Sequence, residues 1–372
     1  MSEQTPNIPT DTAWGIALES TRCPHCEWQY FTPKESAVQR CPHCFQADLI
    51  PVEDPGTQLY TQPPELVLPF NVNLAAIEQH IETFSEKIPF APKDLEARML
   101  CTRIQRLYLP MWLVDGEVSA IWDAEVGFDY QVVSHREHYG EEEWDTEETR
   151  ETRTRWEPRA GRLQRHYDNI ITPALEEHTA LLHALGRYSY QDAQPYTAGE
   201  IQGTPIRLPD RAPEAAWADA IPGFQQTATE ECRQAAQSDR IQRFRWSPEY
   251  TNLHWTLLLL PIYSTYYLDD NQQPQRILVN GQTGKVSGAR RASMQRAQRV
   301  SLIVGIVAAI FFVLGLGLSI LGLAMPPLII AGIAILVVAF GGGLVGALIP
   351  ILIAARFNRR QPAENTHRTG RQ

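Results

Sequence analysis

No aspartate, glutamate, lysine or arginine occurs among the 56 residues of the segment 300–355. That absence excludes an ordinary surface helix, since about 20 apolar residues already make one membrane span. No apolar core of signal-peptide length occurs within residues 1–14, so nothing there directs the N-terminus across a membrane. Cysteine is scarce: of six, four lie in two Cys-Pro-His-Cys units, while Cys101 and Cys232 stand alone. This excludes a secreted disulfide framework and fits a metal site in a reducing compartment. An excess of positive charge is also missing. The formal net charge of -10 argues against a whole-protein grip on nucleic acid, which depends on cationic contacts to phosphates.

Catalytic patterns are lacking as well. Asn280-Gly281-Gln282-Thr283-Gly284-Lys285 has too short a glycine spacing for a phosphate loop, and Val286 stands where Ser or Thr is required. It reads as a tight turn between strands. His135 and His138 lie near Glu141, Glu142 and Glu143 without a matched ligand set. His178 and His183, five apart, point to different sides of a helix. With no nucleophile and base or cofactor loop assignable by spacing, we expect a protein that is not an enzyme.

What the sequence does contain begins with that long apolar run. Met325, Pro326 and Pro327 divide it near its middle, which predicts two helices, 302–324 and 328–354, joined by a tight turn. Arg290, Arg291, Arg296 and Arg299 precede the first span and Arg356, Arg359 and Arg360 follow the second, so both ends face the cytoplasm in a two-span hairpin of the inner membrane. Gly342 and Gly346, with Gly315, Gly317 and Gly322 on the other helix, let the backbones approach closely, within one chain or between two. The spans hold no ionisable group, which predicts an anchor in the lipid bilayer and not a transporter.

The most specific chemical signal is Cys23, Cys26, Cys41 and Cys44: Cys-x2-Cys, a 14-residue gap, then Cys-x2-Cys. Two such pairs bring four thiolates around one Zn²⁺, leave no open position for an activated water, and so predict a structural zinc ribbon over 21–50. Glu27 and Phe45 stand where rubredoxin-like knuckles place glycine, which disfavours iron. His25 and His43, each inside its own pair, are expected to be exposed and not ligands.

Around the ribbon we expect a disordered N-terminus over 1–20 and a linker over 51–65. An α+β body follows over 66–298, and a basic cytosolic tail over 356–372. Leu74, Ile77, Ile81, Phe84 and Ile88 recur at helical spacing behind a capping Asn73, and Pro89 stops them. From Leu107 onward the period becomes two, with Asp115-Gly116 as a hairpin turn. Leu260-Pro261-Ile262-Tyr263 echoes Leu109-Pro110-Met111-Trp112, which predicts two β-hairpin repeats. Between them the acidic stretch 137–151 and the arginine-rich stretch 153–165 can pair across a turn at Ala160-Gly161, as a solvated two-strand arm or a charged docking surface. Helices are expected over 173–185 and, in two pieces broken at Pro222-Gly223, over 213–237.

Taken in order, the Cys-Pro-x-Cys ribbon, Leu68-Pro69-Phe70, Tyr108-Leu109-Pro110-Met111-Trp112, Leu260-Pro261-Ile262-Tyr263, the 279–286 turn and the terminal hairpin carry a resemblance. The chain resembles bacterial membrane proteins labelled as transcription factor IIB type zinc-ribbon proteins or as primosomal protein N-prime-like. The resemblance implies a zinc ribbon on a membrane anchor and transfers no catalytic residue; a primosomal helicase would also need ATP-binding motifs. The expected function is a cytosolic scaffold or protein-recruitment module, in membrane maintenance. The alternative is a nucleic-acid contact at the ribbon through Arg22, Lys34 and Arg40.

Overall fold

The computed structural model describes residues 14–34, 40–52, 62–139, 144–199, 201, 203–321, 323 and 326–361. The expected disordered N-terminus is described only over 14–20, where it is ordered, with Trp14 buried and a strand beginning at Leu18; its remainder, most of the linker and tail, and the residues just before Pro326 at the predicted hairpin turn lie outside the described residues. The chain is a mixed α/β protein with a four-cysteine cluster near its N-terminus and two long apolar helices near its C-terminus.

Short strands β1 (Leu18–Arg22), β2 (Gln29–Pro33), β3 (Ile50–Pro51) and β4 (Leu66–Val67) lead to helices α1 (Leu74–Glu86) and α2 (Ala97–Thr102). Two very long strands follow, β5 (Gln105–Tyr139) and β6 (Trp144–Pro173), then α3 (His178–Leu185), β7 (Gln194–Pro195), β8 (Ile206–Arg207) and α4 (Pro213–Ala235). A third long strand, β9 (Arg240–Leu268), pairs with β10 (Pro274–Asn280), which turns into β11 (Val286–Gly288). All belong to one 11-stranded sheet in which β9, β5, β8, β2, β1 and β3 lie side by side, with β6 sharing the β8 edge of β5. At about 3.3 Å per residue, the 35 residues of β5 carry it roughly 110 Å.

The long strands divide into a base and an arm. In the base, β9 is buried on both faces from Thr256 to Thr265. One face carries α1 and α2, whose Ile77, Ile81, Phe84 and Leu100 pack on Tyr263, Tyr267, Ile277 and Val279. The other carries α3 and the cysteine knuckles against Leu107, Leu109, Leu260 and Ile262. In the arm, β5 lies between β6 and β9 as far as Gly127 and continues with β6 alone to Tyr139. There α4 covers one face, with Ala220, Phe224, Ala228 and Cys232 on Val118, Ala120 and Leu163.

Pro110 and Pro261 occupy central strands without breaking the sheet. Outside β5, the neighbour is β8 at Tyr108 and β6 from Met111 onward; outside β9, it is β4 up to Leu259 and β10 from Ile262 onward. Each proline sits at the seam between two neighbours, where a missing N–H removes no ladder bond.

The two Leu-Pro stretches, expected as separate hairpin repeats, instead face each other: Leu109 pairs with Leu260, and Tyr108 with Pro261. Asp115-Gly116 is not a turn. Strand β5 runs through it with a register shift, Asp115 Oδ1 accepting from Asn169 N at 2.7 Å, and a Cβ on Gly116 would meet Leu253 at 2.7 Å. The glycine makes room for packing at a bulge. Ala160-Gly161 is likewise mid-strand: Gly161 lies opposite Trp122, and a Cβ there would touch the indole at 3.1 Å. Strands β5 and β6 pair as far as Tyr139 and Trp144, residues 140–143 lying outside those described, and the arginines of β6 lie opposite the 118–130 part of β5. The acidic and arginine stretches are not strand partners of each other, and Arg153 meets Glu151 two residues before it on the same strand at 3.3 Å.

Helix α3 begins at His178, because β6 extends to Pro173. Helix α4 is a single helix through Pro222-Gly223. Pro222 is exposed, so the carbonyl it orphans is solvated, while Ala216, Ala220, Phe224, Ala228 and Cys232, each four apart, seat the helix on the arm. Helix α1 follows expectation, with Asn73 Oδ1 accepting from Ala76 N at 2.9 Å.

The apolar helices are α5 (Met294–Leu321), α6 (Pro326–Val337) and α7 (Gly343–Arg360), the last two joined by a π-helical turn over Val338–Gly342. They are long and apolar enough to cross a membrane twice. A Cβ on Gly315, Gly332 or Gly343 would collide with or crowd the facing helix, whereas Gly317 and Gly342 face open space. The close approach is therefore intramolecular: it uses the expected Gly315 and Gly346, where a Cβ on Gly346 would meet Val304 at 3.2 Å, together with Gly332 and Gly343, but not Gly317 or Gly342, while Gly322 lies outside the described residues. At the base, Asp270 accepts from Ser293 Oγ at 2.6 Å, and Asn358 brackets Ala292 with bonds of 2.8 and 3.0 Å, fastening the hairpin to the sheet.

Candidate metal centre

Each Cys-x2-Cys pair forms a tight loop in which the residue after the second cysteine donates back to the first: Glu27 N to Cys23 O at 3.0 Å and Phe45 N to Cys41 O at 3.1 Å. Both donors adopt left-handed backbone, φ 61° at Glu27 and 56° at Phe45, a conformation that disfavours side chains with a Cβ. The two loops therefore share one backbone design at the positions where glycine was expected to be required for iron-type knuckles. Cys23 N and Cys41 N close the loops onto Trp28 O and Ala47 O, both at 2.9 Å.

The four sulfurs lie within 4.8 Å of one another, with Cys23–Cys44 at 3.6 Å and Cys26–Cys41 at 3.7 Å. Four thiolates at zinc-like bond lengths would stand about 3.8 Å apart along each edge of the tetrahedron. The set fits a tetrahedral metal, and the cysteines are all free thiols. Without a metal they share protons: hydrogen bonds from Cys26 and Cys41 hold the Cys44 thiol well below its ordinary range. Cys26, hydrogen-bonded to Cys41 and Cys44 and half-buried, is pushed well above. A divalent cation would displace those protons and remove the mutual repulsion of four thiolates.

The body supplies the surroundings. Cys23 and Cys41 are fully buried in the base core, and Ser264 Oγ of β9 donates to Pro42 O at 2.5 Å. Phe45 packs on Tyr266 with ring centroids 4.6 Å apart. The Tyr30 hydroxyl, completely buried, stands 3.4 Å from Cys41 Sγ; burial and the neighbouring Cys41 raise its pKa, so it stays a donor to sulfur. From β8, Arg207 lies 4.6 Å over Trp28, donates to Gln29 O at 3.1 Å and pairs with Asp210 at 3.0 Å. Arg207 thus ties β8 to the segment that follows the first knuckle, with its own charge taken up by Asp210.

All four predicted ligands come together and no further His, Asp or Glu joins them among the described residues. His25 is exposed as expected, but His43 is half-buried and stacked on Trp28 at 3.6 Å. Of the cations expected at the ribbon, Arg22 is exposed and Arg40 lies 4.0 Å from Asp48. Sequence spacing did not reveal Arg207, which lies far along the chain, or Tyr30, which carries no pattern.

The other candidates disperse. Residues 141–143 and the His138 side chain lie outside what is described, so that group has no geometry. His178 is buried and His183 exposed, on different sides of α3 as expected. The 280–285 turn is a clasp: Asn280 Oδ1 accepts from Gln282 N and Thr283 N, Asn280 Nδ2 donates to Leu185 O, and the Gln282 side chain bonds both backbone polar groups of Ser189. Lys285 donates to His183 O at 3.4 Å. These polar groups tie α3 to the sheet.

No protein-family model, no curated protein and no solved structure matches this chain.

Proposed function

We propose that the chain is a two-span membrane protein of the inner membrane with both termini in the cytoplasm, in which a zinc ribbon and the base hold a long arm for recruiting other proteins. In this reading the four cysteines carry structural Zn²⁺ and the protein is a scaffold in membrane maintenance, not an enzyme. The observation that carries it is the continuity of β5, 35 residues long and fastened at its base end, beside β9, to the apolar hairpin. A strand that long does not serve the core of the base. Its distal part, with exposed Ile121 and Tyr130 and with Trp156 of the neighbouring β6, all among charged side chains, resembles a contact surface in composition.

The test is site-specific photocrosslinking of the full-length protein in its native membrane. Probes at Ile121 and Tyr130 should give discrete protein adducts that a probe at exposed Leu74 of the base does not. Absence of adducts at both arm sites would remove the recruitment reading. The alternative, nucleic-acid contact at the ribbon, leans on exposed Arg22; salt-dependent binding lost in an Arg22→Gln, Arg40→Gln variant would favour it.

A further inference from the structure

The boundary between the apolar hairpin and the body is charged on one side only. From residue 271 to residue 363 the sequence contains no Asp or Glu, yet Arg296 and Arg299 lie at the start of α5 and Arg356, Arg359 and Arg360 at the end of α7, all exposed. The described residues of the body do not neutralise them. Asp270, the nearest acid preceding α5, is taken up by Ser293 Oγ and the Gln295 backbone, Arg296 donates to the Ala91 carbonyl, and Glu364, the nearest acid after α7, lies outside the described residues. No ion pair involves any of these five arginines among the described residues.

Their placement is set by how the helix ends dock. Ala297 and Ala354 are fully buried, and Phe357 packs against the cores at the body. At about 100° per residue, Arg299 lies roughly 200° from Ala297, while Arg356 and Arg360 lie roughly 200° and 240° from Ala354, so these three point away from the buried seam. One turn deeper, Leu302, Ile303, Leu352 and Ile353 are 65, 60, 55 and 45 % exposed. The arginines thus form a collar at the edge of the apolar belt, the level at which a bilayer places its phosphates.

We propose that this collar binds the phosphate headgroups of anionic phospholipids. The proposal rests on the membrane reading and goes beyond it, since orientation alone asks only for positive charge, whereas guanidinium forks without carboxylate partners provide paired donors for phosphate oxygens. Bound lipid would supply the negative charge that the chain omits. It would also hold the base of the sheet against the bilayer at a set height, since Asn358 and Phe357 share the last turns of α7 with the arginines.

The experiment uses full-length protein reconstituted in nanodiscs of phosphatidylcholine mixed with phosphatidylglycerol, extracted gently, with retained lipid counted by native mass spectrometry. The wild type should retain phosphatidylglycerol preferentially. In the variant Arg299→Gln, Arg356→Gln, Arg360→Gln the preference should fall by about fivefold per arginine removed. The matching Arg→Lys variant should keep the charge yet lose part of the preference, because an ammonium lacks the fork. Equal retention of both lipids by the wild type, or an unchanged preference in the glutamine variant, overturns the proposal. Carbonate washing of the same membranes reads the anchor separately: a wild type that washes off defeats the membrane reading and this proposal with it. A glutamine variant that stays embedded but loses lipid preference supports both.

Discussion

The base of the sheet and the arm are made from the same three strands and are held by different forces. Along β9 the change comes at Trp255: before it every residue is exposed or half-buried, with four exposed in a row from Thr251 to His254, and from Thr256 to Thr265 every one is buried. The base is covered on both faces and so reads as continuous apolar sequence, Leu257-Leu258-Leu259-Leu260. The arm has α4 on one face only. Its other face carries cross-strand ion pairs, Arg245–Asp123 at 2.6 Å and Arg243–Glu125 at 2.8 Å, which at such exposure contribute under about 1 kcal/mol each. Length without burial requires another source of order, and the arm draws it from α4 and from the base to which it is continuous.

The largest effect should come from removing the metal. The structural zinc proposed above would contribute on the order of 10 kcal/mol, and the four cysteines that would hold it are part of the base core. Chelation, or Cys41→Ser, should expose β5 and β9 of the base to hydrogen exchange while the α4-covered arm remains protected. If both regions open together, base and arm are one cooperative unit and the distinction fails. The converse break is Phe224→Ala. Phe224 is fully buried and touches Tyr167, Trp217 and Tyr250, so its loss should cost about 3–5 kcal/mol, read as faster exchange along 117–127 with the base unchanged.

What could be read in advance follows the same division. Features held by local chemistry were legible: the knuckles from ligand spacing, α1 from its apolar stripe and Asn73, the two apolar helices from length, and the 280–285 turn. The arm was not. Asp115-Gly116 and Ala160-Gly161 look like turns, but their glycines are there because Leu253 and Trp122 need the space, and those neighbours come from other strands. Pro222 looks like a break, but its exposed position and the buried residues four apart keep α4 whole. At the metal centre the same holds, since four ligands announce themselves while Arg207 arrives through β8.

A smaller effect concerns acid. His178 is 1 % exposed on α3, and neither ring nitrogen has a hydrogen-bond partner among the described residues. Burial, with Arg211 nearby, lowers its pKa from 6.5 to about 4. Because the unfolded chain binds that proton more readily, the stability contributed by neutral His178 is complete above pH 6.5 and declines as pH falls through about 4, by about 3 kcal/mol at most. Thermal melts should show His178→Leu flattening this decline between pH 6.5 and 4, with the loss located in the base. An unchanged profile would mean that the histidine does not titrate with unfolding.

The smallest effect tests the paired knuckles against each other. Glu27 and Phe45 hold the same left-handed backbone, at a cost of roughly 1 kcal/mol for a residue with a Cβ. Glu27 is exposed, so Glu27→Gly removes strain and little else, and metal affinity in a competition titration should rise by up to about fivefold. Phe45 is 4 % exposed and stacked on Tyr266, so Phe45→Gly relieves the same strain but gives up a buried aromatic, worth about 3 kcal/mol or more. It should therefore weaken both metal retention and the base. Opposite signs from one substitution at equivalent positions would show that the first knuckle mainly binds metal, whereas the second also fastens the metal to the sheet.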